Sequence, residues 1–151
     1  MTVRQQIIET LKARLQSYSW AEFEPEIHAG RTIFDPDEDP LPVVTIVAGT
    51  ETSERTRYGT DLRTMQIDVS ALLSLADGKE AFDIGEPAFG ELHKACFDGG
   101  EIQIGDDYVA LIYTGGGIVD YPSELGPALI TIAVTITVTF ETATGNPCNN
   151  E

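Results

Sequence analysis

His93 and Cys96 stand three residues apart, and with His28 and Cys148 they are all the imidazole and thiol the chain carries. A zinc site needs three or four such ligands clustered in space. Nothing adjacent to His93 and Cys96 completes a set, so the pair reads as one face of an ordinary helix. A nucleophilic triad would have to use one of the two histidines, and no Gly-x-Ser-x-Gly elbow is present. Asp35-Pro36-Asp37-Glu38-Asp39 resembles the start of a calcium loop. Its sixth and twelfth positions, however, are Pro40 and Ile46, where glycine and glutamate are needed. The triple glycine Gly115–Gly117 lacks the Lys-Ser/Thr ending of a phosphate cradle and reads as a flexible connection. We expect no enzyme, no metal and no cofactor.

One stretch keeps a chemical character of its own. Glu51 to Thr60 gathers Arg55 and Arg57 beside Tyr58 in an otherwise acidic chain. Arginine and tyrosine are enriched at interface hot spots. The stretch therefore reads as an assembly-contact loop, with a solvated hairpin tip as the plain alternative.

The rest of the charge is one-sided. The chain has 151 residues and a formal net charge of −16. Lys94 is its last basic residue, and eight carboxylates follow it. Such a surface repels phosphates, which argues against specific nucleic-acid binding. No apolar run approaches the ~20 residues that span a bilayer. Glu9, Lys12 and Arg14 interrupt any signal-peptide core. No membrane association is expected, and the chain is expected to stay in the cytoplasm of the cell that makes it. With 42% apolar residues it can build a core without disulfides, and both cysteines read as free thiols.

The elements that would position these residues follow from periodicity. Thr2 to about Gln16 predicts a helix, with Thr2 and Gln5 at capping-box spacing and Val3, Ile7, Ile8, Leu11 and Leu15 on one stripe. Tyr18, Trp20 and Phe23 should close one end of the core. Glu26 to Phe34 reads as a short strand, and Leu41 to Val47 as a central strand buried on both faces. Glu51 to Thr60 reads as an edge strand or protruding loop. Arg63 to Leu73 alternates as a one-sided strand. Lys79 to Phe97 predicts a second helix with Phe82, Phe89, Leu92 and Cys96 in its stripe and a kink or start at Pro87. Asp107 to Thr114 reads as a strand and 120–127 as a turn.

From Ile130 to Phe140 every even residue is apolar, and the odd ones are Thr131, Ala133, Thr135, Thr137 and Thr139. That period of two is a β-strand ~37 Å long, expected to overhang shorter neighbours. Its threonine face should be wet or polar-paired. The sum is an α+β fold: a two-layer sandwich with two helices on one face of a mixed, mostly antiparallel sheet. Residues 1–145 should form one domain, and residues 146–151 a disordered tail.

The order of these parts is similar to that of a known group. An opening amphipathic helix is followed by Gly30-Arg31, the acidic proline-rich loop, "LPVVTIV", "GTETSERTRYG", "RTMQIDVSALL", a second helix and "ALITIAVTITVTFET". This resembles the tail terminator proteins of long-tailed bacteriophages, the minor tail protein U-like group, over roughly residues 1–145. In place of a Tyr-x-Thr ending the chain has Phe140-Glu141-Thr142. The resemblance implies a structural protein that forms a ring, commonly a hexamer, on the end of the tail tube. Such a ring stops tube growth and presents a surface to the head connector. The implied partners are the tail-tube and head-connector proteins. The implied location is the bacterial host cytoplasm during assembly and then the virion tail. Two alternatives fit the same composition: a tail-completion or head–tail joining protein, and a small α+β ligand-binding or carrier domain.

Overall fold

Thr2 opens the first helix in the manner its spacing predicts. Its hydroxyl accepts the Gln5 amide at 2.9 Å, and α1 runs from Val3 to Ser17. The computed structural model describes residues 2–30, 41–74, 80–104, 108–121, 129–143 and 145. Val3, Ile7, Leu11 and Leu15 are buried, with Ile8 packed at the margin. Beyond the helix, Trp20 packs against Tyr18 and Phe23, each at a ring separation of 4.9 Å. The indole N–H donates to the Leu15 carbonyl at 3.0 Å, so the buried polar end of the ring is satisfied.

Among the described residues six strands follow: β1 (Glu26–Ala29), β2 (Val43–Arg55), β3 (Thr60–Ser74), β4 (Ile102–Ile104), β5 (Tyr108–Asp120) and β6 (Leu129–Ala143). A second helix, α2 (Ala81–Phe97), separates β3 from β4. The sheet order is β1-β2-β3-β6-β5-β4. β1 and β2 are parallel, and every other neighbouring pair is antiparallel. The fold is α+β, with a mixed, curled sheet. The part of the expected first strand after Gly30, most of the acidic loop, most of the 120–127 turn and the 146–151 tail lie outside the described residues. The short β4 was not predicted, because three residues are too few to display a period.

β6 is buried at every even position from Ile130 to Thr142 and half-buried at the odd ones described. The even residues join Met65, Ile67, Val69, Ala71 and Leu73 of β3 and the apolar stripes of both helices in one core. The period of two thus puts the even face of β6 in this core.

The long strand overhangs on one side only: the β5 ladder stops at Leu111↔Thr139, so Phe140–Ala143 run past it, whereas on the other side β3 matches its full length. β3 is also 15 residues long and pairs with β6 throughout, from Thr60↔Ala143 to Ser74↔Leu129. β2 runs 13 residues and pairs with β3 as far as Arg55↔Asp61. The polar stretch Glu51–Thr60 concealed this, because ladder hydrogen bonds need no apolar side chains. Among the described residues β2 pairs with β1 only as far as Ile46, and the stretch continues as an arm paired with β3 that ends in a turn.

α2 continues as helix through Pro87. Its buried stripe is small: Gly85, Ala88, Ala95 and Cys96 beside Leu92. Phe82, expected in that stripe, is 64% exposed. At 100° per residue it sits about 120° round the helix from Ala88. The small residues let the helix approach closely. A Cβ added at Gly85 would stand 3.0 Å from Val119 Cγ1.

Gly115–Gly117 is not a connection but the middle of β5. One extra residue, Gly115, bulges between Thr114↔Ile136 and Gly116↔Thr135. Gly117 then lies beneath the Phe89 ring, where an added Cβ would be 2.5 Å from Phe89 Cε2 and 2.7 Å from the Ala133 carbonyl oxygen. Gly117→Val should therefore destabilise the fold by about 2–3 kcal/mol, in the range of overpacked cores. A urea midpoint equal to that of the unsubstituted protein would show that Phe89 gives way and that the close approach is not required.

Candidate functional site

Arg55, Arg57 and Tyr58 are brought together at the tip of the β2–β3 hairpin. Thr56 builds the turn. Its amide donates to the Thr60 carbonyl at 2.9 Å, and its hydroxyl accepts the Tyr58 amide at 3.2 Å and lies 2.7 Å from the Thr60 hydroxyl. Gly59 has φ +78°, a left-handed conformation that glycine adopts without penalty. Two turn residues followed by a left-handed glycine make a three-residue hairpin loop. Tyr58 is 83% exposed, and the Arg57 guanidinium carbon lies 5.8 Å from its ring centroid.

The hairpin is held at its root by a polar cluster on the same face as the core. Arg63 donates from Nε to the Thr142 hydroxyl at 2.7 Å and from a terminal nitrogen to Glu51 at 3.0 Å, and it faces Asp61 at 3.6 Å. Asp61 also accepts the Gly145 amide at 3.0 Å. Arg4, from the first turn of α1, donates to the Gly49 carbonyl at 3.1 Å and reaches Glu51 at 3.8 Å. Thr142 is fully buried. Past Phe140 the even face of β6 therefore passes from apolar core to an ion cluster. The cluster ties the hairpin to α1 and to the end of β6.

Five arginines are described. Arg4 and Arg63 are tied into this cluster, and Arg14 donates to the Cys96 and Glu101 carbonyls at 2.8 and 3.3 Å. Arg55 and Arg57 take part in no ion pair among the described residues, although Arg55 stands across from Asp61.

No family model matches the chain, and a search of the curated proteins finds no match.

The other residues considered for chemistry are placed separately. Cys96 is buried, and desolvation pushes its thiol up to about 12, with Arg14 opposing, so at neutral pH it is a protonated core group. His93 stacks on Phe97 at 5.1 Å. Among the described residues no three His, Cys, Asp or Glu side chains stand close enough together to hold a metal. No described helix is long and apolar enough to cross a membrane.

A second feature escaped the sequence reading. The β5 bulge shifts the strand's parity, so that Leu111, Tyr113 and Ile118 all share the face of the β6 threonines. They are 44%, 49% and 54% exposed. The interruption of alternation at the glycines hid this strip. Across the same face Thr135 donates to Asp68 at 3.0 Å. Towards the end remote from the hairpin lies a groove of about 420 Å³ lined by Val43, Thr45, Val47, Ser70, Leu72 and Thr131, among others. Neither helix contributes to the lining of that groove.

Proposed function

We propose that this protein is a structural virion component of the tail-terminator type. On this reading it forms a ring, commonly a hexamer, that caps the tail tube, ends its polymerisation and presents a surface for head joining. Its two layers are then a core layer, the helices on the apolar sheet face, and an outer sheet face that meets neighbours. The observation that carries the reading is the anchored hairpin, which holds two arginines and an exposed tyrosine away from the core while one sheet face stays uncovered by helices. A contact between two different surfaces of one chain, repeated by rotation, closes into a ring. A head–tail joining role shares these features and differs in which partner the ring caps, the tube or the connector.

Light scattering across ionic strength tests the reading. Each copy carries −16, so a hexamer would gather −96. That long-range repulsion is screened within about 10 Å at 0.1 M salt, whereas partly buried pairs are screened much less. The ring population should therefore grow as salt is added. A strict monomer at every salt concentration, stabilised by a small molecule in the Val43–Leu72 groove, would favour the carrier alternative instead. Rings that dissociate as salt rises would overturn the charge argument.

A further inference from the structure

We propose that the hairpin tip of one copy docks on the exposed β5 strip of a second copy, with Arg55, Arg57 and Tyr58 set against Leu111, Tyr113 and Ile118. The inference rests on the ring reading and names the two surfaces that make the ring.

Charge complementarity selects a second copy as the occupant. The tip carries two arginines that pair with no carboxylate among the described residues, and they outnumber the one exposed carboxylate beside them, Glu54. The strip belongs to the part of the chain after Lys94, which holds eight carboxylates and no cation. Asp120 pairs with Thr131 one step along the same face beyond Ile118, and Asp68 is exposed two strands across. A cationic, aromatic tip thus meets an apolar strip with an acidic surround. Opposite charges set the register of such a contact, and the desolvated aromatic anchor supplies most of its strength. Tyrosine suits that role because it covers a large area at small conformational cost.

The tip cannot reach the strip of its own chain. β2 and β3 remain paired out to Arg55↔Asp61, so the hairpin continues along the strand direction. β5 lies two strands from β3, across β6, in the same sheet. The contact is therefore between copies and joins unlike surfaces, so repetition by a rotation other than a two-fold gives a ring or a filament. The bulge at Gly115 has a part in this. It turns Ile118 to the strip side while Gly117 and Val119 stay towards α2.

Two full-length variants test it, with circular dichroism to confirm folding: Arg55→Glu with Arg57→Glu, and Tyr113→Ser with Ile118→Ser. All four positions are exposed, so both variants should fold. Under the salt condition where the unsubstituted protein forms rings, each variant alone should be monomeric, its association weakened by about 30-fold or more. Mixed in equal amounts, they retain one native junction per pair, tip of one on strip of the other. The mixture should give a one-to-one heterodimer and nothing larger. Rings from either variant alone, or a mixture that stays monomeric, would overturn the contact while leaving the ring reading intact. An unsubstituted protein that forms no ring at any salt concentration would instead overturn the ring reading, and this contact with it. A variant that loses only a tail-tube partner and still forms rings would assign the tip to that partner and overturn the contact between copies.

Discussion

Val134→Asp and Ile136→Asp should each abolish folding, while Thr137→Asp should leave a folded monomer. Val134 and Ile136 are 0% and 1% exposed and sit in the core between the sheet and the helices. A carboxylate there has no partner, and its burial costs several kcal/mol against a total stability of about 5–15 kcal/mol. Thr137 is one residue away but on the opposite face, in a row with Gln66 and Tyr113, where water can solvate a charge. Thr135→Asp should be intermediate. Thr135 lies directly opposite Asp68 and donates a hydrogen bond to it. Aspartate there replaces that bond with like-charge repulsion, worth several tenths of a kcal/mol to about 1 kcal/mol. Circular dichroism and urea midpoints on the four variants check the order. Equal loss of fold at Ile136 and Thr137 would mean that the threonine face is as dry as the core face. That would contradict the burial pattern of β6, whose even residues are buried and whose odd residues are half-buried.

The same contrast explains what the sequence could show and what it hid. β6 was legible because both faces were patterned and nothing interrupted them for eleven residues. α1 was legible because Thr2, Gln5 and a four-residue stripe agree. β3 was legible only over Arg63–Leu73, where one face is apolar; its outer end, Thr60–Leu62, is too short and too polar to display a period. The overhang of β6 was mistaken on the β3 side for that reason, since a paired arm of mostly polar residues has no hydrophobic period. Phe82 was misplaced because helix 2 buries glycine and alanine, which a search for large apolar residues passes over. The glycines in β5 concealed that the strand read over Asp107–Thr114 continues to Asp120, and that its parity changes on the way. Arg55, Arg57 and Tyr58 were legible from composition alone, whereas the strip proposed to receive them depends on a bulge that only the backbone pairing reveals. Arg63 read simply as the first residue of a strand, although it anchors the hairpin.

Arg63→Met should lower stability by about 2–3 kcal/mol and loosen the hairpin before the rest of the sheet. The guanidinium serves three groups at once, Thr142, Glu51 and Asp61, from a side chain that is 15% exposed. Removing it leaves the buried Thr142 hydroxyl without its partner and two largely covered carboxylates, at 21% and 16% exposure, with only Arg4 at 3.8 Å from Glu51 and the Gly145 amide on Asp61. The fully buried limit of such a loss is about 3–5 kcal/mol, and partial access to water reduces it. Arg63→Lys keeps the charge but cannot fork to several acceptors, so it should fall between the two. Hydrogen exchange locates the effect. Amides of Ser53, Arg55 and Leu62 should exchange faster in Arg63→Met, while those of Ile67 and Val134 keep their protection. The consequence reaches assembly. An arm held rigid before contact loses less conformational freedom on docking, which for each immobilised side chain is worth about 0.5–1.5 kcal/mol. Arg63→Met should therefore weaken ring formation although Arg63 itself lies at the root and not the tip. Arm amides that exchange as slowly in the Met variant as in the unsubstituted protein would mean that the β2–β3–β6 ladder alone fixes the hairpin and that the ion cluster is incidental to it.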